Sequence, residues 1–253
     1  MPEGRTPGVL HGLWVAVGFL TRIPVGDVSR GGSVEVDTAR AAPWFPVVGL
    51  AIGATSGGTY AVTSGFVSPF VAAVLALGTS LLVTGAFHHD GLADIADAFG
   101  GGWSVEERLI ILKDSRLGTY GVSALAVALL LEVAAVSQLS PSDGFRALLV
   151  AHSMGRATAL VPMLVAPTAG DGMGASYMER LSTPGTLLGV SFGVVITVAL
   201  APAFWPIAIA AAALSAAAVV ALATAKIGGV NGDVLGAVAV MAALAILVVS
   251  GAG

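Results

Sequence analysis

The chain has 253 residues, of which 56% are hydrophobic and only 10% charged, with a formal net charge of −4 and a mean hydropathy of +0.93. A soluble domain carries about 25% charged residues, so this chain lacks the polar surface to face water on all sides, and a negative balance gives no reason to expect nucleic acid as a partner. With no cysteine anywhere, disulfides, thiolate metal sites and a cysteine nucleophile are excluded together.

The N-terminal MPEGRTPGVLHGLW carries Glu3 and His11 and no clear cleavage site, so it does not read as a signal peptide. The apolar stretch 9–20 is too short to cross a bilayer and predicts an interfacial or re-entrant helix. Spanning helices are predicted at 43–65, 69–87, 118–137, 146–166, 186–201, 207–225 and 234–251. The expectation is an all-α, polytopic integral membrane bundle of about seven transmembrane helices, a single domain over residues 1–253 with lipid as its solvent. The 34 glycines permit close helix packing, and they permit a homo-oligomer without specifying one.

Placing the eleven Lys and Arg orients the bundle. Arg5, Arg22, Arg30, Arg40, Arg108, Lys113, Arg116, Arg180 and Lys226 fall on one side, Arg146 on the other, and Arg156 within a span. The positive-inside rule makes the first side cytoplasmic, which predicts a multi-pass protein of the cell inner membrane with its C-terminus outside. The long connections 21–42, 88–117 and 167–185 lie on that same side and are rich in Gly, Asp, Ser and Thr. Such loops are usually functional, and the last reads as a lid or substrate contact.

The polar chemistry is concentrated in GAFHHDGLADIADAFGGGWSVEERLIILKDSRLGTYG. Asp90, Asp94 and Asp97 stand at i, i+4 and i+7, on one face of a helix. Unpaired like charges repel, so a cation is expected among them. An all-oxygen set suits Mg²⁺ or Mn²⁺ better than zinc. Mg²⁺ is commonly shared between a few carboxylates and substrate phosphates, so the triplet suggests phosphate chemistry. Downstream, Arg116 offers a fork for phosphate, and Asp114 a further ligand or base.

Simpler readings stand beside these. A single Asp at a helix start is ordinarily an N-cap, Glu106 and Glu107 suit a solvated face, and His88 or His89 could be satisfied interfacial residues. Arg22 reads either as substrate-binding or as a snorkelling side chain. Arg156, with His152 and Ser153, sits inside a span, where an arginine is costly and suggests function; Glu132 is an alternative structural partner. Asp233 opens the last span, either as a cap or as a substrate contact.

FLTRIPV at 19–25, WFPVVGLAIGA at 44–54, FHHDGLADIADAFGG at 87–101, LKDSRLGTYG at 112–121, GRATAL at 155–160 and GDVLGA at 232–237 together resemble the ordered signature of the cobalamin synthase family, the adenosylcobinamide-GDP ribazoletransferases. The likeness is scattered over nearly the whole chain. It implies the closing step of the nucleotide loop in vitamin B12 assembly. There the 5′ oxygen of α-ribazole, or of its 5′-phosphate, attacks the phosphoryl group joining GMP to adenosylcobinamide. The products are adenosylcobalamin, or its 5′-phosphate, and GMP, with Mg²⁺ as cofactor. On this reading Asp90, Asp94 and Asp97 hold metal, while Asp94, Asp114, Arg116 and His88 are catalytic. Arg22, Arg116, Arg156 and Asp233 bind substrate. His89 occupies a slot often apolar in that family, which favours His88 over it.

The layout also resembles membrane CDP-alcohol phosphotransferases, although their DxxDGxxAR pattern is not matched here. An ion-coupled transporter with the Asp cluster as its ion site is the alternative from another class; no internal repeat supports it.

Overall fold

The computed structural model describes residues 9–26, 40–170 and 181–251, all helical apart from turns and one isolated bridge. The possible lid at 168–185 falls largely outside these residues, as do Arg5, Arg30 and Arg180. The helices are α1 (Val9–Leu20), α2 (Phe45–Thr63, entered through a 3₁₀ turn at Ala42–Trp44), α3 (Pro69–Thr84), α4 (Phe87–Gly101), α5 (Val105–Ile111), α6 (Thr119–Ser137), α7 (Pro141–Leu160), α8 (Pro162–Val165), α9 (Thr183–Leu200), α10 (Trp205–Ile227) and α11 (Gly232–Ser250).

Six helical stretches are long and apolar enough to cross a membrane, and α3 with α4 makes a seventh if that bent pair is one span. The chain is therefore a polytopic helical membrane protein. Its turns at one end are minimal and capped from the sequence. Ser68 and Ser140 each precede a proline at the first helical position and accept a hydrogen bond from the helix they open, from the Val71 and Asp143 N–H groups respectively. The other end, called here the polar end, gathers the longer connections, α5 and the starts of α6 and α11.

Helices α7 and α11 form the centre: 78% and 67% of their spanning windows are buried, against 22% for α6, α9 and α10. Lipid supplies no hydrophobic drive between helices, so contact depends on how closely backbones approach. Gly49, Gly53 and Gly57 of α2 recur every fourth residue against α7, and a methyl group at Gly53 would stand 2.6 Å from the Leu148 carbonyl oxygen. On the other side α11 packs lengthwise against α4, α7 and α10.

The predicted second span, 69–87, breaks before its end. Gly85 and Ala86 both adopt left-handed conformations, φ 63° and 57°, and α4 leaves α3 at an angle of 92°. Ala86 is the one non-glycine with positive φ among the described residues, at a cost of about 1–2 kcal/mol. Neighbours hold the kink. The Arg22 N–H donates to the Val83 carbonyl at 2.7 Å, and Phe87 meets Phe19 edge to face at 5.2 Å. The 9–20 stretch is a helix, as expected, packed on the 3₁₀ turn and α2.

Candidate active site

Helix α4 is amphipathic across the boundary between bundle and surface. Its buried side comprises His88, Gly91, Leu92, Ala93, Ile95, Asp97 and Ala98. Gly91 lets α11 come close: a methyl there would lie 2.7 Å from the Asp233 carbonyl oxygen. Asp233 follows the true cap of α11, Asn231, whose side chain accepts from the Val234 N–H at 3.0 Å and donates to Asp233 Oδ2 at 3.1 Å.

The three aspartates of α4 meet different surroundings. Asp90 is exposed and Asp94 half-buried, and both line an open cleft of about 330 Å³ together with Arg22, His89 and Ser115. Phe87, Leu117 and Leu125 give the cleft an apolar wall. Asp94 feels the negative charge of Asp90, Asp233 and Asp97, yet no described Lys or Arg forms a salt bridge with Asp90 or Asp94. Asp97 is buried, and its carboxylate bridges to the next span. Oδ2 accepts from the Gly118 N–H at 2.7 Å and Oδ1 from the Gly121 N–H at 2.8 Å. Helix α6 has no side-chain cap of its own. Asp97 supplies that function from another helix, satisfying orphan N–H groups and opposing the positive end of the α6 dipole.

Asp114 and Arg116 hold each other at the surface. The guanidinium donates to both carboxylate oxygens, with Nη2 2.6 Å from Oδ2 and Nε 3.0 Å from Oδ1, and the Arg116 side chain is 87% exposed. These hydrogen bonds pull the Asp114 carboxyl down to about 2. Ser115 and Leu117 reach the cleft from this turn, whereas Asp114 and Arg116 are not among its lining residues.

A second polar cluster lies deeper. His89 Nε2 is 3.4 Å from Glu132 Oε1, and Arg156 Nη1 is 2.9 Å from His152 Nδ1. The four line a small inner cavity with room for about 30 Å³, enough for a water or two. Arg156 thus faces this inner space and not the open cleft. His88 is buried with no hydrogen bond to Nδ1, and it too does not line the cleft. The histidine at the cleft is His89. Sequence reasoning gave it the lesser place, and the one available signal was Glu132, a carboxylate in mid-span that requires a partner.

No three His, Asp or Glu side chains among the described residues converge into a ready-made metal cage. The cleft instead offers two carboxylates, Asp90 and Asp94, and Arg22 lines it with them. That donor set suits a hard divalent ion completed by phosphate oxygens and water, the usual manner of Mg²⁺.

Comparison with known proteins agrees with this architecture. Residues 12–251 match the family model for cobalamin-5-phosphate synthase. A Shewanella pealeana protein named adenosylcobinamide-GDP ribazoletransferase is 39% identical over 90% of this chain and 90% of its own length. Proteins of the same name from Bradyrhizobium diazoefficiens and Ralstonia pickettii are each 38% identical, covering 96% and 88% of this chain and 94% and 88% of theirs. No solved structure matches the chain. With the match running from α1 to the end of α11 and including every residue of the cleft, the chain belongs to the cobalamin-5-phosphate synthase family, as a polytopic membrane enzyme of the transferase class.

Proposed function

We propose that the protein joins adenosylcobinamide-GDP to α-ribazole or α-ribazole 5′-phosphate, releasing GMP and closing the nucleotide loop of adenosylcobalamin or its 5′-phosphate. The observation that carries this reading is the cleft: two carboxylates with no salt bridge to a described Lys or Arg, sharing the cleft with an arginine, in a chain of this family. In the reaction a bond forms between a free ribose hydroxyl oxygen of the acceptor and phosphorus, while the phosphorus–oxygen bond to GMP breaks and the hydroxyl gives up its proton. Phosphoryl transfer needs chiefly positioning and neutralisation of charge.

Asp90 and Asp94 would hold Mg²⁺, which when bound supplies charge neutralisation on the phosphoryl oxygens. Asp233, in the first turn of α11 beside Gly91, adds negative potential to the same place. Arg22, held beside the Gly85–Ala86 break, orients the phosphate within the cleft. His89 can accept the hydroxyl proton inside the cleft, with Glu132 orienting its ring. Asp97 acts by position: it ties α4 to α6 and so sets the height of Asp94 against Leu117 and Ser115. Phe87, Leu117 and Leu125 form a dry wall suited to a flat aromatic base. The excess of Lys and Arg at this end of the bundle supports a cytoplasmic position for it, in the inner membrane.

The test is GMP release from adenosylcobinamide-GDP by the purified protein in liposomes, with α-ribazole and Mg²⁺, compared with the same mixture in EDTA. Metal-dependent GMP release matched by a corrinoid product supports the reading. Absence of release from protein shown to be folded and inserted would sink it, and uptake into sealed vesicles would then be measured.

A further inference from the structure

The connection between α4 and α6 displays large apolar side chains that stay exposed among the described residues. Trp103 is 90% exposed, Ile110 69% and Leu117 53%. The backbone beneath them is well held. The Trp103 N–H donates to Glu107 Oε2 at 2.8 Å, and Ser104 and Glu107 close a capping box at the start of α5. The inner side of α5 is anchored: Arg108 Nη1 donates to the Lys226 carbonyl at 2.9 Å, and Leu109 and Leu112 pack on the cluster containing Ile227 and Val230.

These contacts fix the height of the connection. It lies level with the last turn of α10, through Lys226, and with the first turn of α6, through Asp97 and Gly118. Those turns are where spans leave the lipid, the level at which Trp and Tyr concentrate in membrane proteins. Tyr120 on α6 is exposed as well, and the strip runs on into exposed Val122 and Val127 of the same helix.

We propose that the segment Gly102–Leu117 lies in the headgroup layer of the bilayer, with Trp103, Ile110 and Leu117 seated at the acyl boundary. The occupant of this face is lipid and not a second copy of the chain. The strip is continuous with the lipid-facing side of α6, and exposed Glu106, Lys113 and Arg116 interrupt it. A hydrated headgroup layer accommodates such charges, whereas a dry protein interface would bury them. Leu117 also lines the cleft with Asp90 and Asp94, so the cleft mouth opens beside the membrane surface. This inference rests on the membrane-spanning architecture alone and stands apart from the transferase reading.

The experiment uses the full chain and its Trp103→Phe variant in phosphatidylcholine vesicles, and takes the difference between their tryptophan emissions. Trp103 packs against little, so the variant retains the fold. The difference signal should be quenched by lipids brominated near the headgroup end of the acyl chain, less by lipids brominated deeper, and weakly by aqueous iodide. Ile110→Asp should raise iodide quenching of that signal several-fold. Free access to iodide with no bromolipid quenching would place the segment in water and overturn the proposal. Insensitivity to both quenchers, or bromolipid quenching that increases when the protein is diluted with empty lipid, would assign the face to protein contact and overturn it equally.

Discussion

Two polar regions share one residue, His89, and otherwise differ in how their charge is satisfied. The outer cleft places Asp90 and Asp94 in reach of solvent, with no salt bridge to either among the described residues. The inner cluster closes Glu132 on His89 and Arg156 on His152, all deep within the bundle. Uncompensated charge is tolerable where water or a ligand can reach it, whereas a charge inside the bundle needs a partner made of protein. The comparison separates residues that act on a ligand from residues that hold the helices which present it.

Substitutions should follow that division. The largest effect is expected at the cleft: Asp94→Asn and Asp90→Asn should each slow GMP release by about 10²–10³-fold, as removal of one charge-stabilising group does elsewhere, while the thermal midpoint in detergent stays near wild type. A variant turning over at the normal rate would remove that carboxylate from the chemistry.

At the inner cluster the effect moves from rate to stability. Arg156→Leu leaves His152 Nδ1 without its donor and removes the positive charge that Glu132 interacts with, and it should cost about 1–3 kcal/mol, the loss typical of a buried polar group left unpaired. The double replacement Arg156→Leu with Glu132→Leu should recover much of that loss in a denaturation series; strict additivity would show that the two residues do not share an energy.

Asp97 tests the boundary between the regions. Asp97→Ala orphans the Gly118 and Gly121 N–H groups, at about 1–3 kcal/mol for each buried donor left unpaired. Hydrogen exchange should accelerate at the first turn of α6 and leave α9 and α10 unchanged. If exchange rose uniformly, Asp97 would be supporting the whole bundle and not this joint.

The smallest effect belongs to the exposed Asp114–Arg116 pair. Its carboxyl is lowered from 3.8 to about 2 by the guanidinium. The sign is that of a depressed acid: the stabilising contact is fully present above the ordinary carboxylate range and is lost only as the pH falls through about 2. An NMR titration of Asp114 should therefore be flat between pH 7 and pH 4. An inflection near 4 would show the pair to be broken in solution.

Much of this was legible in residue patterns. Apolar length located the spans. The i, i+4 spacing put Asp90 and Asp94 on one face. Asp97 shares that face by angle but stands about 10 Å further along the axis than Asp90, at 1.5 Å per residue. There the start of α6 crosses, so the same side chain becomes a cap. No local pattern shows which helix will cross. The break at Gly85–Ala86 was hidden for a related reason. Alanine favours helix, and its left-handed turn is imposed by Arg22 and Phe19, which are distant in sequence.

The sequence by itself determined the solvent, six of the crossings and the family. Hydropathy over about 20 residues and ordered motifs are local quantities, additive along the chain. Only the tertiary structure decided which of the singled-out residues face the cleft. It put Asp90, Asp94, Arg22 and His89 there, turned Asp97 to α6, paired Asp114 with Arg116 and withdrew Arg156 and His88. The physical reason is that a polar side chain in lipid takes the nearest partner that satisfies it, and helix packing alone determines what is near.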